Sequence, residues 1–375
     1  MDVYIVFQTI FIYLFVGLVL YIGGKKSAFK GEIWPAFIAI AIYAIVFGLR
    51  YGVGFDTNSY IDSYYDFGKG IFNKEVEPGF LFLNQSLYWL GLPSWFFMTV
   101  IAFLQLGLVY YAYRKEKNVY AFLAITFMLG CVWLTFSNGL RQILAFCFFI
   151  ASIPLARDKK FFWHYLLIAL AISMHKSAWI LVIFYPLIRI DKDWCPSIII
   201  QYSLLAVSVV LGHINFVQSY LTQLEQVAVF TGYDVYVSEG DYSEYVFSED
   251  TSIGVGYIIL LLVPIFIIAH SDYLKKKNPS VKFIYNLFFF GLILRQSLEN
   301  SMLIQRVNYY FYGFEFVVAA FLLYQLKKDR RKRDYIVFIF LYCLAFLATL
   351  YRMFENSSAF FFIWQQDVYK QLIHR

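Results

Sequence analysis

The sequence predicts an all-α, polytopic integral membrane protein, and three observations carry that prediction. Of 375 residues, 61% are hydrophobic, 22% aromatic and 15% charged, against roughly 25% charged in a soluble domain. A soluble core cannot absorb that much apolar surface, whereas a bilayer can. The apolar residues also fall into runs near the roughly 17–25 residues that a crossing helix requires. Finally, Lys and Arg collect on one side of those runs.

Walking the chain, spans are expected near 4–22, 33–50, 94–113, 119–136, 141–156, 161–174, 177–190, 196–213, 253–270, 282–298, 307–326 and 335–351, about twelve in all. The first lacks a basic leader and a small-residue cleavage site, so it reads as a retained span. Segment 80–92 is apolar but too short to cross, and Pro93 ends it; it reads as a half-helix entering the outer leaflet. With Met1 outside, the inward loops carry Lys25, Lys26 and Lys30, then Arg114, Lys115 and Lys117, then Arg157, Lys159 and Lys160. Further inward charges are Arg189 and Lys192, Lys275–Lys277 with Lys282, and the run Lys327–Arg333. Most of the 31 basic residues thus lie on one side, as the positive-inside rule requires. Making 80–92 a full span would put the later basic loops on the wrong side. The whole chain, 1–375, is therefore expected to form one transmembrane domain. It carries an outward loop with a half-helix at 51–93 and a second outward loop at 214–252, rich in acidic and aromatic residues.

The same charge pattern excludes other classes. A net charge of +6 suggests nucleic acid, but the run 327–333 is better explained as charge that stops translocation, so no nucleic-acid partner is expected. Cys131, Cys147, Cys195 and Cys343 have no CxxC spacing and no nearby histidines, so they read as small packing residues. There is no HExxH, Walker lysine motif, GxGxxG or GxSxG. Asp191-Lys192-Asp193 has DxD spacing, but in a very short inward loop it reads as ordinary loop charge.

Positive charge on the outer side runs against the insertion rule and asks for an explanation. Arg50 closes the second span. Arg141 opens the fifth, just after Ser137-Asn138-Gly139. Lys176 follows His175 at the next outward junction, and Arg295 and Arg306 bracket a later one. Any single arginine there can snorkel to lipid phosphate. As a group they form a ring of guanidinium forks suited to a lipid-linked diphosphate, with a helix N-terminus behind Arg141 and Ser137 and Asn138 as its caps. Acid–base groups lie close by. Asp56 follows Arg50-Tyr51-Gly52-Val53-Gly54-Phe55 and precedes Tyr60. Glu77 stands before the half-helix, where it serves equally well as an N-cap or a catalytic carboxylate. His175 can accept a proton from a hydroxyl. Desolvation near lipid is expected to raise the carboxylate pKa values.

These residues resemble the EpsG family of polysaccharide polymerases, the Wzy-like membrane proteins of bacterial O-antigen, capsule and exopolysaccharide synthesis. The matching features are Arg50 with Gly54, Asp56 and Tyr60; Glu77-Pro78-Gly79-Phe80; Asn138-Gly139-Leu140-Arg141-Gln142; Met174-His175-Lys176-Ser177-Ala178; and Arg306 before Tyr310-Phe311. The resemblance spans most of the chain and implies a GT-C-like architecture in the bacterial cytoplasmic (inner) membrane, with its active site on the periplasmic or extracellular side. It implies transfer of a growing glycan from undecaprenyl diphosphate to a new lipid-linked repeat unit, without metal or cofactor. Arg141 and Arg306 would hold the donor diphosphate, with Arg50 assisting. His175, Asp56 or Glu77 would be the base, His175 first. Tyr60, Asn138, Lys176 and Tyr310 would complete the substrate site. Membrane lipid, a flippase and a chain-length regulator are the implied partners. The tyrosines of 233–245 would stack on sugars or form an acidic lid.

Other readings remain. An O-antigen ligase would use the same arginines with a different acceptor. A flippase would need charges distributed through mid-membrane, where Glu315 and Arg295 are the candidates. A structural assembly partner leaves the outward arginines unexplained.

Overall fold

A computed structural model describes residues 3–53, 56–72, 75–190, 192–214, 254–298, 302–355, 359–367 and 369. The chain divides into two compact units: Met1–Ile190 with Leu326–Arg375, and Asp191–Gln325. Both are helical, and every segment expected to span falls on helix.

In the first unit, α1 (Val3–Lys30) and α2 (Trp34–Gly48) lead into a two-residue strand β1 (Arg50–Tyr51). Then follow α3 (Thr57–Gly68), α4 (Pro78–Trp89), α5 (Ser94–Ala112), α6 (Tyr120–Leu129) and α7 (Val132–Asn138). The unit continues with α8 (Leu140–Arg157), α9 (Phe161–Met174), a 3₁₀ helix (Lys176–Ile183) and α10 (Phe184–Ile190). In the second unit lie α11 (Ile198–His213), α12 (Val255–Ala269), α13 (Ser271–Lys277), α14 (Lys282–Ser297) and α15 (Met302–Tyr312). α16 (Glu315–Lys328) runs back toward the first unit's sequence, which resumes with α17 (Lys332–Glu355) and β2 (Phe361–Phe362).

Among the described residues, five helices are long and apolar enough to cross a membrane, or seven if two bent pairs each count as one span. α2, α9 and α11 are apolar but shorter. The chain is therefore an all-α membrane protein, and the lengths refine individual expectations. Segment 119–136 is two helices meeting at 73°, because Gly130 ends α6 and Cys131 takes a left-handed backbone (φ 52°). Segment 177–190 starts as 3₁₀ before turning α-helical. The segment expected as a half-helix falls on α4, whose 12 residues reach only about 18 Å. The segment before it contains α3, which hydropathy alone did not suggest. Its Tyr64 ring meets Tyr88 and Phe97, and the Tyr64 hydroxyl donates to the Leu92 carbonyl at 2.6 Å.

α8 is largely enclosed, with Leu144, Ala145, Cys147, Phe149 and Ile150 fully buried. Its two ends differ. Near Arg157, Lys115 pairs with Asp158 at 2.8 Å, and Arg189 donates to the Arg157 carbonyl. Lys327 sits over the Phe122 ring. Lys115, Arg157 and Arg189, all expected in inward loops, thus meet at this end. Arg141 stands at the other end, about 24 Å away along the helix axis.

No span was expected beyond residue 351, yet the C-terminal segment has a defined place. β2 pairs antiparallel with β1, Arg50 opposite Phe362. The Phe360 N–H donates to Thr9 Oγ1, and Gln8 bonds the Phe360 carbonyl and Gln365. Gly52 has φ +67°, and a Cβ there would meet the Tyr369 ring, so only glycine fits this turn.

In the second unit, Asp193 pairs with the buried Lys275 at 2.7 Å, and Asn286 bonds the Lys192 carbonyl and the Trp194 N–H. Asp193 of the DxD-like spacing is thus committed to Lys275. All four cysteines are free thiols.

Candidate functional site

The first unit brings most of the predicted site residues together at the Arg141 end of α8. The segment after α2 is fixed first. Arg50 is 1% exposed. Its Nη1 donates to the Phe47 carbonyl, and its Nη2 donates to the Ser137 carbonyl at 2.9 Å. A guanidinium enclosed by protein and bonded to two carbonyls clamps the ends of α2 and α7 together, and its buried Nε has no hydrogen-bond partner among the described residues. The Tyr13, Phe47, Trp133 and Phe360 rings pack against one another around this clamp.

Ser137 and Asn138 do not cap α8. Gly139 takes the N-cap position with no side-chain capping bond, and Ser137 Oγ has no hydrogen-bond partner among the described residues. The Asn138 amide turns the other way, its Oδ1 accepting from the Asp56 N–H at 2.9 Å. Asn138 therefore places Asp56 rather than the helix, and α8 keeps the uncapped N–H groups that make its N-terminus positive.

Glu77 occupies the N-cap position of α4 but makes no side-chain cap either. Its carboxylate is used elsewhere. Oε2 accepts from Arg141 Nη1 at 2.7 Å, and Oε1 from the Lys176 N–H at 3.1 Å. The Glu77 side chain is 7% exposed and that of Arg141 31%, so the pair sits at the edge of the protein with its acidic member enclosed. Burial works to raise the Glu77 carboxyl, but Arg141, then His175 and the backbone N–H groups of Glu77 and Lys176, outweigh it and hold the carboxyl below its usual range. The expected upward shift is thus reversed by a guanidinium the spacing could not place.

The approach of α4 to α9 explains Glu77-Pro78-Gly79-Phe80. A Cβ on Gly79 would lie 2.9 Å from Met174 Cε and closer still to Ser173 Oγ, so a side chain there would push Glu77 away from Lys176. Phe80 is buried, with the Arg141 guanidinium 5.8 Å from its ring centroid. Tyr60, on α3, hydrogen-bonds Arg141 and lies within electrostatic reach of Arg50. The sequence signal for α3 was present in Thr57-Asn58-Ser59 followed by Tyr60 and Tyr64 at helical spacing.

His175 caps the 3₁₀ helix: its Nδ1 accepts from the Ser177 N–H and lies 2.6 Å from Ser177 Oγ. The Ser177 hydroxyl can accept from Nδ1 or donate to it, so the turn holds the ring in place whichever nitrogen carries the proton. Lys176 Nζ pairs with Glu75 at 2.5 Å, both well exposed. Glu75, two residues before Glu77, was missed by motif reasoning. Glu75, Glu77, Pro78, Ile172, Lys176 and Trp179 line an open cleft of about 440 Å³. It is acidic and basic at the Glu77–Lys176 side and apolar along α9. Among the described residues no group of three His, Cys, Asp or Glu could hold a metal ion.

Arg306 and Tyr310 lie on α15 in the second unit, Arg306 half-buried and Tyr310 buried. There α15 packs on α14, with Asn308 Nδ2 donating to the Gly291 carbonyl at 2.8 Å and Gln305 Nε2 to the carbonyls of Arg295 and Leu298. Glu315 is buried beside Tyr312 and Arg295, and the Arg295 guanidinium lies 4.5 Å from the Tyr312 ring centroid. The two expected mid-membrane charges thus face each other. Gly54, Phe55, Asp191 and the acidic–aromatic loop with Tyr233, Tyr236, Tyr242 and Tyr245 fall outside the described residues.

The family model described as the EpsG family matches residues 33–364, a stretch that includes every candidate site residue named above. No curated protein and no solved structure matches the chain.

Proposed function

We propose that this chain, which belongs to the EpsG family, is a Wzy-like polysaccharide polymerase acting on undecaprenyl-diphosphate-linked oligosaccharide repeat units. Family membership points to polysaccharide polymerisation in general. The observation that favours a diphosphate-linked donor is Arg141, a part-exposed guanidinium on the uncapped N-terminus of α8, beside the Lys176 N–H and an open, partly apolar cleft. Helix N-termini and guanidinium forks both bind phosphate oxygens, and the apolar wall suits a polyprenyl chain.

In this reading Arg141 and Lys176 take the donor diphosphate and stabilise it as it leaves. His175, Asp56 and Glu77 are the candidate bases, with Asn138 and Tyr60 holding Asp56 and Arg141 in place. Arg306 and Tyr310 are substrate-site candidates on their sequence motif alone. A twelve-span, GT-C-like topology in the bacterial inner membrane, with the Arg141 end outside, agrees with the gathering of Lys115, Arg157 and Arg189 at the opposite end of α8. A flippase and a chain-length regulator would supply substrate and limit product length.

Purified protein given lipid-linked repeat units should produce a ladder of lengthened glycans on a gel. No ladder would defeat the polymerase reading. Transfer to lipid A core or a protein acceptor instead of a repeat unit would make the enzyme a ligase.

A further inference from the structure

Glu77 fills the space where an incoming phosphate would be expected to bind. Its two carboxylate oxygens accept separately, one from Arg141 Nη1 and one from the Lys176 N–H. Two convergent donors, one a guanidinium and one a backbone amide, match two oxygens of a phosphoryl group as well as they match a carboxylate. Arg141 does not depend on Glu77 for its position, because Tyr60 hydrogen-bonds it and the Phe80 ring lies beside it. Glu77 has room to leave: it borders the open cleft with Glu75 and Lys176, and no capping bond ties it to α4.

We propose that Glu77 is a resident anion that the donor diphosphate displaces from Arg141 and the Lys176 N–H, and that the displaced carboxylate is the base for the acceptor hydroxyl. The inference rests on the diphosphate reading given above. A carboxylate paired with a guanidinium is a poor base, since the cation stabilises its charged form. Once the diphosphate takes those donors, Glu77 loses its counter-charge and gains an anionic neighbour. Both changes increase its affinity for a proton. The acceptor hydroxyl then gives its proton to Glu77, and its oxygen bonds the donor's anomeric carbon. The bond from that carbon to the diphosphate oxygen breaks, and its electron pair leaves with the diphosphate held by Arg141. Binding of donor thereby arms the base, and an unloaded site does not deprotonate water or a stray hydroxyl.

A purely positional Glu77, one that only orients Arg141, predicts the opposite binding result, so the two can be separated. Inorganic diphosphate binding to the purified full-length protein is measured by calorimetry, alongside glycan elongation, for wild type, Glu77→Gln and Arg141→Ala. Removing the competing carboxylate should tighten diphosphate binding at least about tenfold, the scale of one charge-assisted contact, while elongation is lost. Unchanged or weaker binding in Glu77→Gln overturns the displacement, and full elongation in that variant overturns the base assignment. Where Glu77→Gln does not fold, Glu77→Asp, whose carboxylate stands one methylene further from Arg141, should also bind more tightly than wild type; equal or weaker binding overturns the displacement again. Arg141→Ala should lose diphosphate binding. Wild-type affinity there would sink the diphosphate reading itself, a result distinct from failure of the Glu77 proposal alone.

Discussion

Arg50, after α2, and Arg141, at the start of α8, look equivalent in the sequence: each is an arginine at the outer end of an expected span, beside small or polar residues. Their surroundings give them opposite work. Arg50 is enclosed and gives its terminal nitrogens to the carbonyls of Phe47 and Ser137, groups that would otherwise lack partners where the helices end. Arg141 meets a carboxylate at a part-exposed edge, where an anion can be exchanged. A guanidinium bound to carbonyls keeps its full charge inside the fold. One bound to a carboxylate at a cleft can be offered to a substrate.

The comparison breaks or sharpens under substitution. The largest effect is expected for Arg141→Ala, which should reduce elongation per folded molecule by roughly 10²–10³, the range for removing a donor to a departing anion; gel-resolved elongation rates check it. Arg50→Met should leave elongation per folded molecule in place but lower unfolding stability by about 3 kcal/mol, because two buried carbonyls lose a charged donor. Denaturation of the purified protein measures this. Gly79→Ala should cost about 1–3 kcal/mol through overpacking against Ser173 and Met174, read by the same denaturation. The smallest effect concerns pH. Folding depresses the Glu77 pKa below its ordinary 4.5, so its stabilising contribution is present above that value and lost as pH falls through the folded-state pKa. Acid unfolding should show this loss in wild type and lack it in Glu77→Gln.

Much of the fold could be read from the chain because hydropathy and charge act over many residues at once. The runs from Tyr4 to Tyr351 had to be helices in lipid, and the separation of Lys115 and Arg157 from Arg141 follows the insertion rule. The roles within the site were less accessible, since they depend on single contacts between distant segments. Nothing in Glu77-Pro78-Gly79 says that its carboxylate faces Arg141, 64 positions later, rather than capping α4. The clamp role of Arg50 needed Ser137, and the anchoring of the His175 ring needed the turn that brings Ser177 to Nδ1. α3 was missed because its polar face hides it from a hydropathy scan, and the β1–β2 pairing joins residues more than 300 positions apart.

The central claim is that Arg141, and not Arg50, meets the lipid diphosphate. Paired Arg141→Lys and Arg50→Lys substitutions test it most directly, through elongation rate per folded molecule with lipid-linked repeat units. Lysine keeps the charge at each position but removes the planar fork. The account predicts that Arg141→Lys loses most of its elongation while folding normally, and that Arg50→Lys loses stability but keeps its per-molecule rate. A normal rate in Arg141→Lys, with a fully folded but inactive Arg50→Lys, would contradict it.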